Sequence, residues 1–150
     1  MIYLCWPIYC ILLRELPAKL RGYIVIIQYA GSLMSDFSIY HNPRCSKSRQ
    51  TLALLKEQGI DPEVILYLDT PLKAVQLKAL LAKLAISPRE LLRKGEGDYK
   101  EQGLADKSLT DAYLIKMMCQ FPKLIERPIV AKGSKAVLGR PPENALALIK

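Results

Sequence analysis

The sequence predicts an α/β fold: a mixed four-stranded sheet flanked by helices, with an inserted helical region. Three stretches carry this expectation. Residues 36–68 run strand, helix, strand within about 30 residues, the spacing of a parallel βαβ unit. Residues 128–138 read as a hairpin. The segment between them has helical spacing and helix-start signals but no strand pattern.

Taken in order, Asp36–Tyr40 reads as a short strand. Ser46–Gln58 follows as a helix, with Leu52, Ala53 and Leu55 at helical spacing and Gly59 as the stop. Glu63–Leu68, EVILYL, is apolar and partly β-branched, a second strand. Thr70-Pro71 marks the start of a helix whose apolar face is Leu72, Val75, Leu77, Leu80, Leu81 and Leu84. Ser87-Pro88-Arg89-Glu90 is a capping box opening a short helix that ends near Arg93. Residues 94–107 are polar, a loop with room for one helical turn. Thr110–Gln120 is helical, with Leu114, Ile115 and Met118 inward. Pro128–Val130 and Lys135–Leu138 form the hairpin around Lys132-Gly133-Ser134, and Pro141–Ile149 closes the chain as a helix with proline near its start. The order βαβ, helices, ββα is that of a thioredoxin-like layout.

The chain has 150 residues, 51% of them hydrophobic and 24% charged, enough for one domain with a sizeable core. Its net charge of +8 favours anionic partners. Aromatic residues are sparse and no long Lys/Arg run occurs, so nucleic acid is not expected among them. Of four cysteines none forms a CxxC pair, and there is one histidine, His41, so neither a metal nor a bound cofactor is expected. Free thiols suit a reducing compartment, and the expected location is the cytoplasm.

The first 33 residues, MIYLCWPIYCILLRELPAKLRGYIVIIQYAGSL, stand apart from this pattern. Their longest apolar run, Ile2–Leu13, covers 12 residues and contains Pro7; a bilayer-spanning helix needs about 20. Met34-Ser35-Asp36-Phe37 then reads like a natural start. Residues 34–150 are therefore expected to form the domain. Residues 1–33 are an extension from an upstream start codon, a membrane-associating arm or a signal segment; membrane contact is expected only if the extension is real.

Chemistry concentrates in HNPRCSKSR, residues 41–49. Cys45 falls at the turn from strand into helix, where the amides of residues 46–48 are unpaired and point toward the thiol. Arg44, Lys47, Arg49 and His41 are near in sequence. A thiol in that setting ionises below its ordinary pKa, and the same amides would hold an oxyanion. The turn could therefore offer a nucleophile and an anion cradle together. Ser48 stands where a two-cysteine redox motif has its resolving thiol, so a redox cycle needs a thiol from elsewhere. Cys119 is a possible internal resolving thiol, but it lies on a helical face near Phe121, where an isolated cysteine is usually buried and inert. Arg93, Arg127 and Arg140 each sit at an element boundary. Guanidiniums there suit a tetrahedral oxyanion if they converge, which spacing alone does not establish.

At these residues the chain resembles the glutaredoxin-coupled arsenate reductase (ArsC) family. HNPRCSKSR carries the likeness most specifically. ILYL (65–68), ELLRK (90–94), ERPIV (126–130) and LGRPPE (138–143) follow in the expected order. The resemblance implies a thioredoxin-like fold with an inserted helical region. It implies Cys45 as the nucleophile on arsenate, Arg93, Arg127 and Arg140 as oxyanion-binding residues, and His41 and Ser48 as support for the thiolate. Asn42 would shape the loop, and Pro128 would be the cis-proline of such folds. The implied partners are glutathione, as co-substrate, and glutaredoxin. Cys45 would displace water or hydroxide from arsenate, glutathione would add to the arsenic, and glutaredoxin would take the glutathione in a mixed disulfide as arsenite leaves. The alternative is a thioredoxin-like regulatory module that contacts RNA polymerase without reductase activity; such regulators carry a CxxC switch, which CSKS lacks.

Overall fold

The computed structural model describes residues 36–149. The expectations for residues 1–33 lie outside the described residues.

Four strands form one mixed sheet in the order β2-β1-β3-β4. Strand β1 (Phe37–Tyr40) pairs in parallel with β2 (Glu63–Ile65) and antiparallel with β3 (Ile129–Lys132), which pairs antiparallel with β4 (Lys135–Leu138). Helix α1 (Ser46–Glu57) supplies the crossover from β1 to β2, as parallel pairing requires. Between β2 and β3 come α2 (Ala74–Leu84), α3 (Pro88–Leu91), α4 (Gly97–Glu101), α5 (Asp111–Gln120) and a 3-10 turn at Pro122–Leu124. This is the thioredoxin-like sheet with its helical insertion.

Two apolar cores line the sheet. Phe37, Ile39 and Val130 are buried with Leu55 of α1 and with Ala145 and Leu148 near the C-terminus. A larger core joins Ile129, Ala131 and Ala136 to Leu77, Leu80 and Leu81 of α2 and Leu114, Ile115, Met117 and Met118 of α5. The alternation of β3 residues between the two groups is the two-residue period of a strand.

Several boundaries differ from those the sequence predicts. The helix expected from Thr70-Pro71 begins at Ala74: Pro71 biases Thr70 away from helical backbone, and the Lys73 amide donates to Gln76 Oε1 at 2.9 Å to start the first turn. Val75 is 78% exposed and does not join the apolar face, because it lies two residues from Leu77 rather than three or four. Strand β2 stops at Ile65; the Asp69 and Thr70 amides donate to Leu66 O, curling residues 66–69 into a turn. Helix α3 ends at Leu91, short of Arg93. Its capping box forms as expected, with Ser87 Oγ accepting from the Glu90 amide and Glu90 Oε2 from the Ser87 amide. The hairpin turn narrows to Gly133-Ser134, with Gly133 at φ +53° where a side chain would be strained. The closing helix is 3-10, Pro142–Leu148, with Pro141 as its N-cap and Pro142 as its first residue, neither supplying an amide donor. The Arg127-Pro128 bond is cis, as the resemblance implies, and so is Arg140-Pro141. No helix among the described residues is long and apolar enough to cross a membrane.

The register explains where the site lies. Tyr40 stands opposite Ile129 and Ile65, and Ile129 opposite Leu138. The end of β1, the end of β2, the start of β3 and the end of β4 therefore share one edge of the sheet. The chain leaves or enters that edge at residues 41–45, 66–67, 127–128 and 139–140.

Candidate functional site

Cys45 is the N-cap of α1, in extended backbone at φ −94° and ψ 121°. Asn42 builds the turn that holds it. Its backbone oxygen accepts from the Cys45 amide at 3.0 Å, and its Oδ1 accepts from the Arg44 amide at 2.9 Å. Ser48, buried beneath the thiol, accepts the Asn42 amide at 3.4 Å through Oγ. Burial alone would push the Cys45 thiol up. The amides of Ser48 and Lys47, the Arg127 guanidinium and the Ser48 hydroxyl outweigh it, and the pKa falls below the ordinary thiol value.

Guanidiniums distant in sequence converge on this thiol. Arg140 Nη2 lies 3.8 Å from Cys45 Sγ, while its Nε donates to Arg127 O at 2.7 Å and faces Glu126 Oε2 at 3.6 Å. Arg127 is mostly buried, its side chain 11% exposed. Arg127 Nη2 reaches Glu96 Oε1 at 3.4 Å, and the same oxygen accepts a short hydrogen bond from Arg93 Nη1. The backbone of Arg93 is fixed: its amide donates to Leu124 O at 2.8 Å, next to a Leu92–Ile125 bridge. Cys45, Arg140, Arg127 and Arg93 thus form one chain of contacts, with Glu96 as the link between the last two. Arg127 Nε and Nη1 are buried without a hydrogen bond of good geometry.

His41 and the nearby cations contribute differently from the sequence expectation. The His41 amide donates to Ile65 O at 2.9 Å, and its buried Nδ1 has no partner. Burial, then the Arg49 charge, lower its pKa, so the ring is neutral at neutral pH and supplies no positive charge. It makes no hydrogen bond to the Cys45 sulfur. Arg49 is turned to Pro43 O at 2.7 Å. The cations that act on the thiol are remote ones.

Three residues that sequence reasoning did not single out belong here. Tyr67 is buried beside Arg127; burial raises its pKa, and the Arg127 and Arg93 charges oppose that rise. In EVILYL it reads as core, and only the turn after Ile65 aims it at this edge. Glu96 stands three residues after Arg93, the one signal that could have found it, and Glu126 adjoins Arg127. Cys119 packs against the α2–α5 core, where burial raises its pKa.

Comparison with known proteins shows what the chain is similar to. The model of a family described as "ArsC family" matches residues 40–148. An "Uncharacterized protein YfgD" of Escherichia coli (strain K12) is 57% identical over 118 residues, 78% of this chain and 99% of that protein. An "Arsenate reductase" of Escherichia coli is 47% identical over 116 residues, 77% of this chain and 82% of that one. The solved structure of an arsenate reductase from Vibrio cholerae superposes with a TM-score of 0.73 at 50% identity, over 74% of this chain and 95% of that one.

Proposed function

The chain belongs to the ArsC family, and from that premise we propose that it is an oxidoreductase that reduces arsenate to arsenite through a Cys45 thiolate. One observation carries the reading: Arg140 Nη2 lies 3.8 Å from Cys45 Sγ, and Arg127 is among the groups that lower that thiol's pKa, both residues separated from it by most of the domain. A tetrahedral oxyanion drawn to those guanidiniums meets the nucleophile directly.

In the proposed cycle, the Cys45 thiolate attacks arsenic(V) and hydroxide or water leaves, giving a thioester of arsenate. Glutathione displaces a second oxygen as water and forms its own sulfur–arsenic bond. A glutaredoxin thiolate then attacks the glutathione sulfur. The electron pair of that sulfur–arsenic bond stays on arsenic, which becomes arsenic(III), and the two attacking thiols end as a mixed disulfide. Hydrolysis frees arsenite and returns Cys45. Arg93, Arg127 and Arg140 hold the oxyanion and offset the negative charge that builds on its oxygens. Ser48 and the α1 amides hold the thiolate between cycles.

Outside thiols are invoked because, among the described residues, the other cysteine is Cys119, partly buried against the larger core with its pKa raised. Ser48, at the place of a resolving thiol, cannot form a disulfide. The test is a coupled assay with arsenate, glutathione and glutaredoxin, read as NADPH consumption through glutathione reductase. Wild-type protein turns over, omission of glutaredoxin slows it strongly, and Cys45→Ser abolishes it. Turnover retained by Cys45→Ser would reject the mechanism.

A further inference from the structure

Glu96 is an anion already seated where the proposed substrate would be held. Its Oε1 accepts from Arg93 and from Arg127, much as one oxygen of a tetrahedral oxyanion would be shared between two guanidiniums. Two partly buried like charges that share one carboxylate oxygen are offset by such a counter-ion. The arginines are the fixed partners. Arg93 is held through its amide to Leu124 O, and Arg127 lies between the Glu126 amide, which donates to Leu91 O, and Pro128. The Glu96 backbone is also held, its amide donating to Arg93 O at 3.3 Å and its oxygen accepting from the Tyr99 amide at 3.2 Å, so it is the side chain that would swing. The flanking Gly95 and Gly97 are exposed, and a Cβ at either would meet nothing closer than 3.6 Å. Arg127 retains two buried nitrogens, Nε and Nη1, without hydrogen-bond partners.

We propose that Glu96 is an internal stand-in for the oxyanion: it occupies Arg93 and Arg127 in the free protein, yields them to an incoming tetrahedral anion, and so sets how tightly the site binds one. The proposal rests on the reading of these arginines as the oxyanion site. In physical terms the carboxylate is a tethered competitor. It keeps the guanidiniums solvated by a charge of the right sign and raises the concentration at which any oxyanion fills the site. A protein with so many cations at one edge would otherwise be filled by whatever dianion is most abundant.

The test uses sulfate, which binds without reacting, and reads the concentration that halves Cys45 alkylation by iodoacetamide, at constant ionic strength, by peptide mass spectrometry. Wild-type protein should be protected, and in Glu96→Gln the midpoint should fall by roughly tenfold, the scale of losing a charge-assisted competitor. Glu101→Gln makes the same charge change at an exposed position and should stay within about twofold of wild type. In turnover, the arsenate KM of Glu96→Gln should fall by the same factor while kcat does not rise. An unchanged or higher sulfate midpoint in Glu96→Gln overturns the proposal, because Glu96 would then merely brace the arginines. An equal fall in Glu101→Gln overturns it as a bulk-charge effect. No sulfate protection of wild-type protein overturns both this proposal and the reading of the arginines, whereas protection without the Glu96 effect overturns this one alone.

Discussion

Cys45 owes its proposed reactivity to a contest between burial, which favours the neutral thiol, and the donors around it, which favour the thiolate. The donors win, and the sign of the pH dependence follows. Between the native and unfolded pKa values the native state binds fewer protons than the unfolded one, so stability rises with pH through that window. The contribution is complete above the unfolded value and is lost as pH falls through the native value. Removing one donor narrows the window. Arg127→Met is expected to raise the pH midpoint of Cys45 alkylation toward that of an ordinary thiol, measured by the pH dependence of the iodoacetamide rate. An unmoved midpoint would mean that the α1 amides and Ser48 suffice. At this scale the sequence was informative where the cause is local. The strand-to-helix turn, the cap position and Ser48 could be read from nine residues. It misled on His41 and Arg49, which are next to Cys45 in sequence but act elsewhere.

Each element delivers its part of the site by its end rather than its middle. Helix α1 presents its first-turn amides, β3 begins just after Arg127, and β4 ends just before Arg140. Gly139 is the joint at which three of these pieces touch. A Cβ there would come within 2.8 Å of Pro128 Cγ and of Thr51 Oγ1, and within 3.0 Å of Thr51 Cγ2. Thr51 in turn bonds Lys47 O at 2.9 Å and Gly139 O at 3.4 Å, tying α1 to the end of β4. Gly139→Ala should therefore cost about 1–3 kcal/mol in urea unfolding, the range for overpacking a close contact. It should also slow Cys45 alkylation by separating Arg140 from the sulfur. A neutral effect on both measurements would show that α1 and the β4 end move apart freely. The elements were legible because their periodicity and caps are local. Their ends were less so: Pro71 delayed α2 and a turn cut β2 short. Convergence of the three arginines was not legible, because it depends on Tyr40 facing Ile129, Ile129 facing Leu138 and Leu92 bridging to Ile125, pairings that no short stretch encodes. Glu96 escaped notice for the same reason, since only one of its two partners is near in sequence.

For the domain as a whole, the sheet is the single wall shared by both cores. Strand β3 buries Val130 against the α1 side and Ile129 and Ala131 against the α2–α5 side, so neither core can dissolve while the other keeps its backing. The site has the same dependence, since its thiol rides on α1 and its Arg93 is anchored through the insertion that covers the opposite face. This predicts one cooperative transition for residues 36–149. Leu55 and Leu114, each completely buried, lie in different cores. Leu55→Ala and Leu114→Ala should each cost about 2–5 kcal/mol, the usual range for a truncated core leucine. In native-state hydrogen exchange, either substitution should lower the protection of slow amides in both α1 and α5 by the same amount, since both helices open with the sheet. If Leu114→Ala weakened α5 alone and left α1 protected, the insertion would be a separately opening unit. The link from Arg93 through Glu96 to Arg127 would then not require the whole domain.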